Sequence, residues 1–182
     1  MIIGNGDIAH ALKKVDRKDL LFFASGVSNS KEDRGSEFDR EINLLLDQNT
    51  KKHIVYFSSL SLFYPNFPNT PYIRHKKKME RTIKEVFPKY TIVRLGNITW
   101  GKNPHTLLNH FRNKFKKDGL GNLKIQNTYR YLIDKKEFIY WMKLIPDWNC
   151  EMNIPGRMLK VKEIVSDLIR EYGYALSHTG KI

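Results

Sequence analysis

A chain of 182 residues, 41% hydrophobic and 12% aromatic, can bury a core of its own and is too apolar for disorder. Its one cysteine, Cys150, excludes an internal disulfide and a multi-cysteine metal site, which fits a reducing compartment. The 32 Lys and Arg against 19 Asp and Glu give a net charge of +13, a balance that favours anionic partners.

Taken in chain order, the elements alternate between strand and helix. Met1-Ile2-Ile3 is a short apolar start, and residues 7–14 can form a helix. Leu20-Leu21-Phe22-Phe23-Ala24 reads as a buried strand, followed by a loop over 25–35. Ser36 would cap a helix that buries Phe38, Ile42, Leu45 and Leu46. His53-Ile54-Val55-Tyr56-Phe57 is the next strand and ends in Ser58-Ser59. After a loop rich in Pro and Asn, residues 72–86 give a helix with Met79, Ile83 and Val86 on one face. Residues 90–95 form another strand, ending at Gly96.

Pro104 at a first turn leads into Leu107, Leu108, Phe111 and Phe115, with Gly119 placed to close that helix. Residues 130–133 form a short strand. Asp134 with Glu137 makes a capping-box start to a helix carrying Phe138, Ile139, Trp141 and Met142. Trp141 and Trp148 read as core. Met152-Asn153-Ile154 is a last short strand, and residues 161–172, closed by Gly173, are the last helix.

This alternation argues for parallel strands joined by crossover helices, an α/β fold with a doubly wound, mostly parallel sheet. No internal repeat or linker breaks it, so residues 1–182 read as one domain. Gly4 follows Met1-Ile2-Ile3 at once, far short of an apolar leader, and no apolar run approaches the ~20 residues that span a bilayer. The expectation is a cytoplasmic protein without membrane contact. The basic runs Lys76-Lys77-Lys78 and 112–117 read as a solvated surface, with no nucleic-acid motif behind them. The six histidines show no metal-ligand spacing, and no metal is expected.

Two clusters carry chemistry. Gly4-Asn5-Gly6-Asp7-Ile8-Ala9 is a G-x-G-x-x-A turn between strand and helix. Glycines there permit a tight turn and let a pyrophosphate approach the backbone and the helix N-terminus. Asp7 is the awkward member, since a carboxylate suits the helix dipole but would repel a phosphate if it pointed inward. The second cluster is Tyr72-Ile73-Arg74-His75-Lys76, where Tyr72 and Lys76 are four apart and share a helical face. A nearby ammonium favours phenolate, and such a tyrosine can exchange a proton with a substrate oxygen while hydride moves to or from a nicotinamide. A second Tyr-x-x-x-Lys, Tyr131 and Lys135, straddles a strand and a cap and lacks a common face.

The pieces around Tyr72 fall in a telling order. Phe57-Ser58-Ser59-Leu60-Ser61-Leu62-Phe63 lies upstream, Met79-Glu80 follows the lysine, and Ile92-Val93-Arg94-Leu95-Gly96-Asn97 and Trp100-Gly101 come next. Tyr131-Leu132-Ile133-Asp134 and Met152-Asn153-Ile154 complete the series. In this the chain resembles the extended short-chain dehydrogenase/reductase family, the NAD-dependent epimerases and dehydratases of nucleotide sugars, over most of its length.

The resemblance implies a compact Rossmann-like fold with a reduced C-terminal substrate lobe, and NAD or NADP as cofactor. It implies that Ser59 bonds the reacting oxygen, with Ser58 or Ser61 as alternatives, and that Tyr72 is the acid/base. Lys76 would hold the nicotinamide ribose and lower the Tyr72 pKa. Gly4, Asn5, Gly6, Asp7 and Ile8 would line the pyrophosphate, and Ala24, Ser25 and Gly26 would border the cofactor.

The chain departs from the family in three ways. Its glycine spacing is the other dinucleotide pattern, and only thirteen positions separate Ser59 from Tyr72. Between residues 14 and 19 there is no room for a further βαβ unit of ~30 residues, so at least two family strands are missing. The acidic residue expected ~20 positions beyond the glycines is absent. The functional expectation is an NAD(P)-dependent epimerase, dehydratase or reductase acting on a phosphorylated or nucleotide-linked hydroxyl or carbonyl substrate. The alternative is a binding or assembly module that keeps the fold without the dinucleotide. An open sheet edge where strands are missing would favour a homodimer.

Overall fold

The computed structural model describes residues 1–48, 51–64, 69–118, 125 and 127–179, and for 118 and 172–179 the backbone alone. In chain order the elements are β1 (Ile2–Ile3), α1 (Asp7–Leu12), β2 (Leu20–Phe23), α2 (Gly35–Leu46) and β3 (His53–Ser59). A 3-10 turn (Leu60–Phe63), α3 (Pro71–Val86), β4 (Tyr90–Leu95), β5 (Asn97–Ile98) and α4 (Leu107–Asp118) follow. Then come β6 (Tyr129–Ile133), α5 (Lys135–Lys143), β7 (Cys150–Ile154), β8 (Arg157–Lys160) and α6 (Val161–Thr179).

Five strands form a sheet in the order β1-β2-β3-β4-β7, every neighbouring pair parallel. Both faces are covered, which is why β2 is apolar at every position. Leu20 and Phe22 pack with Leu12 of α1 and Phe138 and Met142 of α5. Leu21 and Phe23 point the other way, against Leu45 of α2 and Met79 and Ile83 of α3. The sheet is therefore doubly wound, as expected.

The strand order carries the mark of the missing strands. From β1 to β4 the chain steps across the sheet in one direction, yet α1 lies on one face and α2 and α3 on the other. The β1–α1–β2 crossover is thus opposite in hand to the two that follow. Since about 98% of such crossovers are right-handed, β1–α1–β2 is the one that breaks the rule. In a full doubly wound sheet, α1 would lead outward to further strands. Here β1 is the outermost strand, and no strand pairs with its outer edge among the described residues. The divergence of α1 and α2 to opposite faces still leaves a crevice at the strand ends, where such sheets bind ligands.

A second sheet, β5-β6-β8, sits beside the first, with β5 parallel and β8 antiparallel to β6. Its core is made by Leu132 with Phe111 and Phe115 of α4 and Ile164 and Leu168 of α6. Neither β5 nor β8 is anticipated from the sequence: one has two residues, and the other, Arg157-Met158-Leu159-Lys160, is mostly exposed.

Several boundaries shift. Helix α2 starts at Gly35 with Arg34 at the N-cap, so Ser36 is not the cap, and Leu46 is exposed. Thr70 caps α3 by accepting the Ile73 N–H. Pro104 precedes α4 rather than opening it, and Thr106 accepts the Asn109 N–H at its start; Gly119 lies outside the described residues. Asp134 caps α5 through the Glu137 N–H at 2.9 Å, as the spacing predicts, a bond of about 1 kcal/mol. Gly173 does not end α6, which continues to Thr179, because an interior glycine costs only about 1 kcal/mol. Trp141 is half-buried against the core, but Trp148 is 66% exposed in the turn before β7.

Candidate functional site

The C-terminal ends of β1 to β4 enclose a cleft of about 220 Å3. Of the residues singled out in the sequence, Gly6, Asp7, Ile8, Ala24, Gly26, Ser59, Tyr72 and Lys76 line it. Gly4, Asn5 and Ser25 do not. Gly4 works from below: its φ is +122°, and a Cβ there would run into the Ala24 carbonyl, so only glycine brings the first turn against the end of β2. Ser25 faces Arg40, whose Nη1 donates to its hydroxyl at 3.4 Å.

Tyr72 and Lys76 are brought together by successive turns of α3, and both are buried. The Lys76 ammonium lies 5.9 Å from the centre of the Tyr72 ring. Among the described residues the Tyr72 hydroxyl has no hydrogen-bond partner; the residue is 6% exposed, but its oxygen is not itself sealed from solvent. Lys76 donates to Glu41 Oε1 at 3.2 Å and to the Tyr56 hydroxyl at 2.9 Å.

Glu41, fully buried on α2, also accepts from the Tyr56 hydroxyl at 2.8 Å and the Val27 N–H at 2.6 Å, and meets His75 Nε2 at 2.9 Å. Burial alone would raise the Glu41 pKa. The Lys76 charge, the His75 hydrogen bond and the Val27 N–H outweigh it and hold the carboxyl well below its usual range. Burial, and then the Glu41 charge, push the Tyr56 phenol well above its ordinary value.

The serines separate into two roles. Ser59 Oγ is spent locally, bonded to Ser61 Oγ and accepting the Ser61 N–H at the start of the 3-10 turn. Ser58 Oγ is different: among the described residues it is the only buried side-chain polar atom without a hydrogen-bond partner, and Ser58 lines the cleft. A buried hydroxyl left unbonded costs about 1–3 kcal/mol, so its native partner is sought in a ligand or water.

Asp7 does not sit free at the mouth of α1. Its carboxylate accepts the backbone N–H groups of Lys102 and Asn103, each at 3.0 Å, and its carbonyl accepts from Trp100 Nε1 at 3.2 Å. Asn103 reaches on to Ser28 Oγ at 2.9 Å. The loop after β5 therefore straps α1 to the loop after β2 across the cleft.

Beyond Ser59 the cleft opens into a second cavity of about 440 Å3, lined by Lys31, Tyr64, His105, His110 and Arg130 and by no carboxylate among the described residues. The Arg130 guanidinium stacks 5.2 Å from the Tyr64 ring centre. Burial, with Lys31 and Lys114 nearby, lowers the His110 pKa. In the sequence His105 and His110 stand out only as histidines without metal-ligand spacing, and nothing in the spacing of 31, 64, 105, 110 and 130 foretells their meeting. Among the described residues no cluster of His, Cys, Asp or Glu could hold a metal, and no helix is long and apolar enough to cross a membrane.

Neither a family model nor a curated protein sequence matches the chain. Solved structures do. WbmG of Bordetella bronchiseptica, in complex with NAD, superposes with a TM-score of 0.64 at 14% identity over 92% of this chain and 61% of that one. DesIV of Streptomyces venezuelae, a dTDP-glucose 4,6-dehydratase with NAD and DAU bound, gives 0.64 at 16% identity, with the same coverage of 92% and 61%. UDP-glucose 4-epimerase of Thermotoga maritima, with UDP-glucose, gives 0.66 at 16% over 92% and 66%. The likeness is one of fold: the chain has the Rossmann-type fold of NAD-dependent epimerases and dehydratases. It spans 61% of the length of the first two structures it matches.

Proposed function

We propose that the chain is an NAD(P)-dependent epimerase, dehydratase or reductase, acting on a hydroxyl or carbonyl of a phosphorylated or nucleotide-linked substrate. The observation that carries this reading is the convergence of Tyr72, Lys76 and the unpartnered Ser58 hydroxyl on one cleft with the turn at Gly6. The residues present fit the nicotinamide end of a dinucleotide. Ser58 offers an orphaned donor, and at Gly26 a Cβ would press on Lys76 Nζ at 2.9 Å, so the glycine leaves room for the ammonium beside the cleft.

The nicotinamide would supply the hydride acceptor or donor. Tyr72 would give its phenolic proton to a carbonyl oxygen becoming a hydroxyl, and take it back in the reverse direction. Ser58 or Ser59 would bond the same oxygen, and Lys76 would donate to a cofactor hydroxyl. Lys31 and Arg130 in the adjoining cavity suit an anionic substrate group.

A second reading, a binding module without the dinucleotide, is favoured by one observation. With β1 at the sheet edge, no further strand among the described residues pairs beyond it to extend the wall of the crevice. The same edge would suit a homodimer that restores the wall. A strictly monomeric mass at high concentration in light scattering would remove that part of the proposal.

The test is calorimetric titration with NAD, NADH, NADP and NADPH at moderate salt. Saturable one-to-one binding, weakened about tenfold or more by Lys76→Ala, is the expected outcome. No binding to any of the four would overturn the enzyme reading and leave the module.

A further inference from the structure

The buried carboxylate of Glu41 is the feature that neither the fold nor the reading of Tyr72 and Lys76 explains. The other acids of α2 stay near solvent, and Glu37 pairs with Arg40 at 3.1 Å across one helical turn. Glu41 is 0% exposed, and each of its oxygens has two partners, which is what makes burial of the charge tolerable.

Those partners come from three different walls of the cleft. Val27 belongs to the loop after β2, Tyr56 to β3, and His75 and Lys76 to α3. His75 is itself held by stacking on Phe38, with ring centres 4.5 Å apart. The backbone passes so close that a Cβ at Gly26 would lie 2.8 Å from Glu41 Oε1 and 2.9 Å from Lys76 Nζ.

The ammonium of lysine has three donors. Two of those of Lys76 are taken by Glu41 and Tyr56, which fixes the direction of the third, and Lys76 is one of the residues that line the cleft. With an opposite charge 3.2 Å away, Lys76 meets a ligand as an oriented donor rather than as a free cation. That suits a neutral hydroxyl of a sugar better than a phosphate, whose charge would gain little from a neutralised pair.

We propose that Glu41 is the positioning residue of the cleft, fixing the Lys76 ammonium and the Val27 backbone so that one N–H of Lys76 is aimed at a neutral sugar hydroxyl of the ligand. This rests on the reading of Lys76 as a ligand-binding group.

The first measurement needs no ligand. The chain is acylated with acetic anhydride, and each lysine is followed by mass spectrometry, with exposed Lys77 as internal reference. Lys76 is expected to react about tenfold or more slowly than Lys77 in the wild type and within about threefold of it in Glu41→Gln. An unchanged ratio overturns the proposal. Should Glu41→Gln not fold, Tyr56→Phe keeps both charges and removes only the hydroxyl they share. It should raise Lys76 labelling about threefold, and no rise counts equally against the proposal.

The second measurement is NADH titration of wild type, Glu41→Gln, Lys76→Met and the double variant. Glu41→Gln alone is expected to weaken binding about tenfold but to add almost nothing on Lys76→Met. Equal losses in both backgrounds would mean that Glu41 acts on the fold at large and would overturn the positioning role. A wild type that binds no dinucleotide removes the proposed function, while the acylation ratio still decides whether Glu41 holds Lys76.

Discussion

Arg94 and Glu80 meet as a buried bidentate ion pair, Nε to Oε1 at 2.9 Å and Nη2 to Oε2 at 2.6 Å. Both lie in motifs that prompted the family resemblance, one after the Tyr-x-x-x-Lys and one on the following strand, and the structure gives them a shared role in packing α3 on β4. Glu151 on β7 adds a bond to Arg94 Nη2 at 2.5 Å, and the guanidinium covers the Phe63 ring at 5.0 Å. Arg94→Met strands the Glu80 carboxylate in the interior and is expected to cost about 3–5 kcal/mol, read from urea unfolding. Adding Glu80→Met should recover most of that loss. If the double variant is no more stable than Arg94→Met, the pair is not what holds α3 to the sheet.

The strap from Asp7 gives a second expectation. Asp7→Ala removes two charge-assisted hydrogen bonds to Lys102 and Asn103 and is expected to cost about 2–3 kcal/mol. Amide exchange at 102 and 103 should accelerate with it. Gly101→Ala attacks the same contact from the other side: its φ is +93°, and the new methyl would run into the Asp7 carboxylate. Both variants should loosen the same loop in exchange measurements, and protection at 102 and 103 surviving in Asp7→Ala would count against the strap.

The parts of this molecule legible in the sequence are those fixed by local chemistry. Leu20-Leu21-Phe22-Phe23, short and bounded by polar segments, reads as a strand buried on both faces, and the spacing of Asp134 and Glu137 suits a helix start. Tyr72 and Lys76 share a face because 3.6 residues make a turn. Glu41 does carry a signal in the sequence: it stands three residues after Phe38 and four before Leu45, on the apolar stripe of α2. A charged residue on such a stripe has to find partners. The reversed hand of β1–α1–β2 left no local signal, because handedness belongs to where the next strand pairs. Trp148 misled for a related reason, since an aromatic after a helix reads as core until the turn around it is seen to face solvent.

The buried network sets the response to pH. The folded Glu41 carboxyl titrates below its ordinary 4.5, so the unfolded chain takes up a proton that the folded one refuses. That stability is present above about pH 4.5 and is lost as the pH falls toward the folded value. Glu151, lowered first by Lys84 and then by Arg94, adds to the same limb. Tyr56 works at the other end: its folded phenol lies above the ordinary 10.0, so its share is present below about pH 10 and lost as the pH rises past it. Urea midpoints should therefore form a plateau with two falling limbs. Glu41→Gln should flatten the acid limb and Tyr56→Phe the alkaline one; an acid limb unchanged in Glu41→Gln would show that its carboxyl titrates normally.

The two neighbouring serines should respond in opposite ways. Ser58→Ala removes a buried hydroxyl without a partner, so the ligand-free protein is expected to gain about 1 kcal/mol. If that hydroxyl is kept for a ligand, the same change weakens binding about tenfold, which is the trade expected of a group that is costly until occupied. Ser59→Ala removes the oxygen that accepts the Ser61 N–H at 3.2 Å and is expected to cost about 1 kcal/mol of stability, with a smaller effect on affinity. Thermal unfolding and dinucleotide titration of the two variants side by side read both quantities. Gain of stability with loss of affinity in Ser58→Ala assigns the reacting oxygen to Ser58. The reverse pattern returns it to Ser59, and a Ser58→Ala variant that is merely destabilised would mean that an ordered water already satisfies the hydroxyl.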